Sequence, residues 1–386
     1  MNNAKNTTLF PYLERLLEGE AVEWKTLGEV CDYEQPTAYL VRNTNYSDRY
    51  PIPVLTAGKT FILGYTNETT GIYRASEHPT IIFDDFTTAN KWVDFDFKAK
   101  SSAMKMLTSK DEKVCLLKYI YYWLNTLPAD SIVGDHSRQW ISNYAQKLFP
   151  LPPLRVQARI VEILDKFTQL EAELEAELEA RKKQYAYYRD QLLNFSQCPP
   201  LNVNIEWKTL GEVAEIGTGN SNRQDEAEDG LYPFYVRSKN ILRSSTYQFD
   251  ETAIIIPGEG GIGDIFHYTE GKYALHQRAY RIKVNTENEL FPKFLFYYMT
   301  NAFKPFILAR CVGATATSIR KPMLTDFPIP LPPLSEQRRI VDILDRFDTL
   351  TNSISEGLPK EIALRRKQYE YYRDALLNFP RAEVTV

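Results

Sequence analysis

Pro150-Leu-Pro-Pro-Leu-Arg-Val-Gln-Ala-Arg-Ile-Val-Glu-Ile-Leu-Asp-Lys-Phe167 returns as the run from Pro330 to Phe347, with 13 of 18 positions identical. Each copy opens with Leu-Pro-Pro-Leu, at 151–154 and 331–334. Paired prolines impose an extended entry and stop any earlier helix. A long helical pattern follows at once. In the first copy Ile160, Leu164, Phe167, Glu171, Leu174, Leu178, Arg181, Tyr185, Tyr188, Leu192 and Phe195 alternate by four and three, and nine of these eleven are apolar or aromatic. That is the 3.5-residue period of a coiled-coil seam. A helix from Arg155 to Phe195 spans roughly 60 Å and needs a partner along its seam. The second copy offers one through Ile340, Leu344, Phe347, Ile354 and Leu358, then Ile362, Arg365, Tyr369, Tyr372, Leu376 and Phe379. Glu356-Gly357-Leu358-Pro359 interrupts it, and the interval from Phe347 to Arg365 is four residues longer than that from Phe167 to Arg181. A four-residue insertion is a stutter, so the second connector reads as two helices or one kinked helix.

The repeat extends outward on both sides. Glu23-Trp-Lys-Thr-Leu-Gly-Glu-Val30 recurs letter for letter from Glu206 to Val213, and Arg181 to Phe195 returns as Arg365 to Phe379 with 12 of 15 identical. Residues 31–148 and 214–327 do not match each other. A period near 180 residues is far above that of solenoids and marks duplication of a whole domain with its connector. A duplicated frame holding two different inserts presents two different readers in one mount. The expected domains are 1–150 and 198–330, with helical connectors at 151–197 and 331–386.

Composition narrows the function. At 386 residues and 44% apolar content the chain supports two or three domains with sizeable cores. No apolar run suffices for a membrane span, and the N-terminus shows no secretory pattern. Cys31, Cys115, Cys198 and Cys311 are scattered, which points to a reducing cytoplasm, and the four histidines show no ligand spacing with them, so no metal is expected. Net charge is −4, a poor nucleic-acid signal taken whole. Its distribution is uneven: Leu231 to Thr325 carries 12 Lys/Arg against 7 Asp/Glu, whereas Cys31 to Leu148 carries 13 of each.

Both inserts read as α+β. The first has expected strands at 53–57, 61–65, 80–83 and 91–97 and a helix at 114–124. The second has strands at 232–236, 253–256, 265–268 and 279–284 and a helix at 292–303. The aromatic stripes of the late helices (Tyr119, Tyr122, Trp123; Phe294, Tyr297, Tyr298) read as core. Gly258-Glu-Gly-Gly-Ile-Gly263 fits a dinucleotide fingerprint, but a strand follows it instead of a helix, and Tyr280-Arg281 stands where the acid belongs. A glycine-rich hairpin that lets backbone approach a ligand fits better. Asp84-Asp85 and Asp94/Asp96 read as loop and strand-face residues, not as metal ligands. There is no P-loop, and no Asn-Pro-Pro-Tyr or Asp-Pro-Pro-Tyr tetrapeptide, so no catalytic residue is assigned.

Gln, Arg, His, Ser and Thr hydrogen-bond base edges, and Lys holds phosphates. The candidate DNA contacts are Lys59, Lys91, Lys105, His136, Arg138 and Gln139 in the first insert. In the second they are Arg237, Lys239, Arg243, His276, Gln277, Arg278, Thr315, Thr317, Ser318, Arg320 and Lys321. The candidate seam and subunit-docking residues are Ile160, Leu164, Phe167, Leu174, Leu178, Tyr185, Tyr188, Ile340, Leu344, Phe347, Tyr369 and Tyr372. The tyrosine pairs read as helix–helix core over a base-stacking face, and Glu171 to Glu179 reads as a solvated face.

These motifs resemble those of the specificity (S) subunits of type I restriction-modification enzymes. The Trp-Lys-Thr-Leu-Gly-Glu-Val starts, the two Leu-Pro-Pro-Leu-x-x-Gln helices and the two Arg-x-Lys-Gln-Tyr ends carry the likeness across the whole chain. The resemblance implies two α+β target recognition domains joined by two long antiparallel coiled-coil helices with pseudo-two-fold symmetry. Each domain would read half of a split target in double-stranded DNA. The helices would set the spacer and dock two methyltransferase (M) subunits, which use S-adenosylmethionine, and motor/nuclease (R) subunits would join for cleavage. This chain would hold no cofactor. A coiled-coil scaffold that binds only proteins is the alternative, and a self-sufficient methyltransferase a third.

Overall fold

The computed structural model describes residues 9–58, 60–128, 138–195, 205–310 and 318–380. Its elements run α1 (Pro11–Leu17), β1 (Glu23–Thr26), α2 (Leu27–Val30), β2 (Cys31–Glu34), β3 (Ile52–Leu55), β4 (Ile62–Thr66), β5 (Thr80–Asp84), β6 (Asn90–Val93), β7 (Lys98–Ala99), β8 (Met104–Ser109), α3 (Leu117–Leu124), α4 (Gln139–Ser142), β9 (Leu148–Leu151) and α5 (Leu154–Leu193). They continue with β10 (Glu206–Thr209), α6 (Leu210–Val213), β11 (Ala214–Thr218), β12 (Tyr232–Tyr235), β13 (Leu242–Ser244), β14 (Phe249–Asp250), β15 (Ala253–Pro257), β16 (His267–Thr269), β17 (Lys272–Leu275), β18 (Ala279–Val284), α7 (Pro292–Arg310), α8 (Lys321–Thr325), β19 (Pro328–Leu331), α9 (Leu334–Asn352) and α10 (Gly357–Leu377). Two compact units divide the chain, Met1–Leu174 with Ile362–Val386, and Glu175–Glu361. Each therefore holds one insert together with helix from both connectors.

The repeated words of the sequence meet in space within each unit. Strand β1 pairs antiparallel with β9, Trp24 opposite Pro150, and β10 pairs with β19, Trp207 opposite Pro330. Proline is tolerated there because each ribbon has two strands and so every strand is an edge. The following Leu-Gly-Glu-Val forms one helical turn closed by a capping box, Thr26 with Glu29 and Thr209 with Glu212. Glycine is needed in that turn, since a Cβ on Gly28 would lie 3.1 Å from the Ala145 carbonyl oxygen and one on Gly211 3.0 Å from Thr325 Cβ.

A buried glutamine locks the insert to the frame. Gln157 Nε2 donates to the carbonyls of Pro152 (2.8 Å) and Val114 (3.0 Å), while its Oε1 accepts from Leu116 N (3.0 Å). Gln337 repeats this with Pro332, Glu289 and Phe291, at 2.8, 2.7 and 2.8 Å. Both glutamines are fully buried. An aspartate about two turns further along each connector holds the late insert helix. Asp165 takes the Tyr122 hydroxyl and pairs with Lys118 at 3.0 Å, and Asp345 takes the Tyr297 hydroxyl at 2.5 Å and pairs with Lys293 at 2.9 Å. Lys and Tyr stand four residues apart in both α3 and α7, one above the other on one helix face. The aromatic stripes of these helices are buried, as their spacing implies.

The inserts, unalike in sequence, share a strand order. In the first, β2-β8-β5-β6 form an antiparallel sheet and β4-β3-β7 a second sheet with a parallel β3–β7 pair. In the second, β11-β18-β15-β16 form the first sheet, and β13-β12-β17 repeat the other with β14 added at its edge. The mixed α+β character matches expectation, but the sequence reading missed β2, β7 and β8 and their counterparts β11 and β17, along with β13 and β14. Strand β8 was hidden by Lys105, whose charge breaks an otherwise apolar run. The expected strand at 91–97 stops at Val93, and the helix expected to end at Phe303 continues to Arg310 with Pro305 inside it.

Connector α5 is continuous over 40 residues. The second connector is two helices, α9 and α10, and the break falls at Ser353–Glu356, slightly before the expected Gly-Pro site. Pro359 is the third residue of α10, where its missing N–H has no acceptor to lose. Within the first unit Phe167 stacks on Tyr372 (centroids 5.4 Å), and Arg366 Nε reaches Glu171 at 2.5 Å. Within the second, Tyr185 and Tyr188 both stack on Phe347, at 5.9 and 5.7 Å.

Gln157→Ala should remove three hydrogen bonds, leave a buried amide and two carbonyls unpaired, and open a cavity, at a cost of about 2–4 kcal/mol. Gln337→Ala should cost a similar amount. Chemical denaturation of each variant measures this, and a loss under about 1 kcal/mol for either would show that the staple is not structural.

Candidate nucleic-acid interface

Three turns of the second unit converge where the strands of its two sheets end. One follows β12 (Val236 to Asn240), one is the glycine loop after β15, and one is the His276-Gln277-Arg278 corner between β17 and β18. Backbone bonds fix them together. His276 N donates to Tyr235 O (2.9 Å), Gly258 N to Arg278 O (2.8 Å), and Ile319 N to Gly258 O (2.7 Å). Between them lies a cleft of about 520 Å³ lined by Arg223, Val236, Arg237, Ser238, Asn240, Leu242, Glu259, Gly260 and His276.

The electrostatic centre of the cleft is Glu259, whose Oε2 accepts from Arg237 Nη1 (2.9 Å) and Arg278 Nη1 (3.0 Å). The Arg278 bond, with help from Arg237, holds the Glu259 carboxyl below the usual carboxylate range. His276 is nearly buried, and its Nδ1 accepts from Arg278 N at 3.0 Å. The neutral ring therefore carries its proton on Nε2. Burial, then the two arginines, lowers its pKa. Gln277 Nε2 donates to Asn222 Oδ1 at 2.6 Å. The glycine loop is a hairpin turn with left-handed backbone at Gly260 and Gly261, where a dinucleotide fold would start a helix.

Arg237, His276, Gln277 and Arg278 are thus brought together, and Ser318 joins them through a bridge to Glu259. Lys239 is exposed beside the cleft, Arg243 is exposed on β13, and Arg320 and Lys321 are exposed at the start of α8. Thr315 and Thr317 lie outside the described residues. Sequence reasoning missed Glu259, Arg223, Asn222 and Asn240. The position of Glu259 between two glycines was the one available signal.

The first unit has a cleft at the equivalent place, between the β3–β4 and β5–β6 turns, of about 410 Å³. Its lining is different: Ala57, Gly58, Phe61, Ile82, Thr87, Ala89 and Lys91. Lys91, exposed on β6, is the one candidate there. Arg138 is exposed at the start of α4. Lys105 is not presented to solvent: it is 1% exposed, 3.6 Å from Asp85 and over the Tyr33 ring. Gln139 is buried, with its N donating to Asp85 O and its Oε1 accepting from Asn143. Both residues serve the framework of the loop instead of offering a surface. Lys59 and His136 lie outside the described residues. The aspartates have local roles, Asp84 capping the turn at Phe86 and Asp96 holding Arg74 and Ser76.

Of the seam candidates, Ile160, Leu164, Ile340 and Leu344 are buried in the unit cores, Leu174 and Leu178 are half-buried, and Phe167, Tyr185, Tyr188, Phe347 and Tyr372 form the stacks already described. Tyr369 lies under Arg373, and burial pushes its pKa up to about 12.

The type I restriction modification DNA specificity domain family matches the chain twice, over residues 20–180 and 202–364. The chain is 51% identical to the specificity subunit of the type I restriction enzyme EcoR124I/EcoR124II of Escherichia coli, over 96% of this chain and 98% of that one. It shares a fold with the S subunit of a type I restriction-modification system from M. genitalium, at TM-score 0.65 and 16% identity, covering 94% of this chain and 98% of that one. It also matches a chain from a structure of type I R-M complex assembly and conformational transition, at TM-score 0.55 and 19% identity, over 93% and 98% of the two chains.

A lowered pKa places the midpoint of His276 protonation below the ordinary 6.5. Well above that value the ring is neutral folded or unfolded, and it contributes nothing to pH dependence. As pH falls below it the unfolded ring binds a proton first, so folded stability declines until the folded ring also titrates. An NMR titration of labelled histidine should show a His276 midpoint below 6.5, and a midpoint at or above 6.5 would show that burial beside Arg237 and Arg278 does not govern this ring.

Proposed function

Since the chain belongs to the family of type I restriction-modification DNA specificity subunits, we propose that its two inserts are target recognition domains, each reading one half of a split site in double-stranded DNA. One observation carries this reading: two inserts without sequence match share a strand order and place a cleft at the same corner, yet line it with opposite chemistry. One cleft is apolar with a single lysine, the other charged and hydrogen-bonding. A shared mount with differing clefts is what reading two different half-sites requires. A scaffold that binds only proteins has no need for it.

Catalysis belongs to the partners in this reading. Two methyltransferase subunits would dock on the helical connectors and bring S-adenosylmethionine, and motor/nuclease subunits would add cleavage. Among the described residues no helix is long and apolar enough to cross a membrane. A subunit that acts on cellular DNA works in the cytoplasm. The connectors serve as an antiparallel ruler between the domains, with pseudo-two-fold symmetry. Repeated frame contacts in each unit support the symmetry, and the Phe167–Tyr372 and Glu171–Arg366 pairs, which run in opposite order along their helices, support the antiparallel arrangement.

Replacing residues 31–148 with the corresponding insert of a relative should change one half of the target and leave the other intact. Methylation mapping in cells that also carry the methyltransferase subunit tests this, and a change in both halves or neither would count against modular reading. The spacer is tested separately. Glu171-Ala-Glu-Leu174 is followed by Glu175-Ala-Glu-Leu178, a four-residue unit on a mostly exposed stretch of α5. One more copy after Leu178 adds ~6 Å of helix at 1.5 Å per residue. DNA rises ~3.4 Å per base pair, so the preferred spacer should grow by about two base pairs with each half-site unchanged. An active variant that kept the parental spacer would sink the ruler.

A further inference from the structure

Glu259 is an acid at the centre of a surface assigned to a polyanion. A carboxylate there opposes a simple phosphate clamp, because it would repel the ligand the arginines attract. Its placement is rigid. Gly258 before it is pinned by the Arg278 carbonyl on one side and Ile319 N on the other, and a Cβ at Gly258 would come within 2.8 Å of Arg278 O. Glu259 itself bridges to Ser318, after which Gly260 and Gly261 turn the loop away with left-handed backbone. Oε2 takes both arginines, and Oε1 accepts no hydrogen bond among the described residues.

Resting on the DNA-reading function above, we propose that Glu259 and Arg278 together read one G·C base pair in the half-site of the second insert. Arg278 donates its fork to guanine O6 and N7, and Glu259 Oε1 accepts from the cytosine N4 amino group. In the major groove a G·C pair presents two acceptors on guanine beside one donor on cytosine. An arginine fork next to a free carboxylate oxygen is the complement of that edge. At an A·T pair the same carboxylate would face the thymine O4 acceptor, and one arm of the fork would meet the adenine amino donor in place of guanine O6, so each contact gains a repulsive element.

The second arginine explains how the acid survives this exchange. When Arg278 turns toward guanine, Arg237 still holds Oε2, so the carboxylate stays oriented and paired. The trio keeps a net charge of +1, which preserves attraction to the backbone. Arg278 is the reader because its own backbone is fixed at both ends, its N–H on His276 Nδ1 and its carbonyl on Gly258 N. Arg237 is a positioning residue. The first insert has no counterpart, since its equivalent cleft is apolar, so the effect belongs to one half-site alone.

The test uses the whole chain in complex with its methyltransferase partner. The parental site is first mapped from methylated bases in genomic DNA. Competition binding then uses duplexes carrying each single base-pair change in that site. Glu259→Gln should lower discrimination about 5- to 150-fold at one G·C position and admit A·T there, because the amide NH2 can donate to the thymine O4 that the carboxylate repels. Arg278→Lys, which keeps the charge but loses the fork, should relax the same position. The half-site of the first insert should not change in either variant, which also reports that the chain is folded. Full discrimination retained at every position, or equal weakening of all duplexes, overturns the proposal. If Glu259→Gln loses both halves through misfolding, Arg278→Lys carries the test, and an unrelaxed half-site in that variant overturns it equally. A parental complex that selects no sequence would refute the DNA-reading function itself. A parental half-site without a G·C pair would refute only this assignment.

Discussion

In each unit a single buried amide joins the variable insert to the invariant frame. Gln157 and Gln337 use donor and acceptor at once, tying the Pro-Pro junction to the backbone that leads into the late insert helix. An unpaired polar group in so dry a position costs about 1–3 kcal/mol, so the backbone around each glutamine has little freedom to move. That fixes where α3 and α7 begin. Their Lys and Tyr side chains then land on Asp165 and Asp345, and the sheets pack against helices whose positions are already set. The frame thus dictates the geometry of an insert without specifying its sequence.

This division of labour lets the same corner of the fold carry two chemistries. The turn after β3 meets the turn after β5 in the first unit as the turn after β12 meets the turn after β15 in the second. Where the first unit places Asp85 with buried Lys105, the second places Gly258 beside Tyr280, whose hydroxyl donates to Ile319 O. The structural task, holding the segment just before the last frame strand, is done by an acid and a lysine in one unit and by backbone and a tyrosine in the other. Side chains that face the cleft are left free to differ.

Along the connectors, aromatic stacking outweighs charge. A stacked aromatic pair is worth about 0.5–1.5 kcal/mol beyond its buried area, and such contacts recur at Phe167 with Tyr372 and at Phe347 with Tyr185 and Tyr188. The Arg366–Glu171 ion pair is partly solvated and contributes about 1 kcal/mol or less. Register in each unit therefore rests on a few large rings. The break at Ser353–Glu356 resets phase between α9 and α10, so each can present its own rings.

The duplication, the α+β class, the long first connector and the interruption of the second were legible in the sequence, because they depend on local signals: identical words, helical period, paired prolines, and glycine with proline. So was the burial of the late-helix aromatics, which follows from spacing. The strand order was not, because β8 hides its period behind Lys105, and β2 and β7 are too short to show one. The candidate site was legible only as residue types. Arg237, His276 and Arg278 stood out by chemistry, while Lys105 and Gln139 shared that chemistry yet fold inward onto Asp85. Glu259 stood out by nothing but its flanking glycines. Which polar side chains face outward, and which acid stands between two arginines, depends on contacts between residues 19 to 55 positions apart. Only the tertiary structure, by closing the sheets and pinning the turns, could decide them.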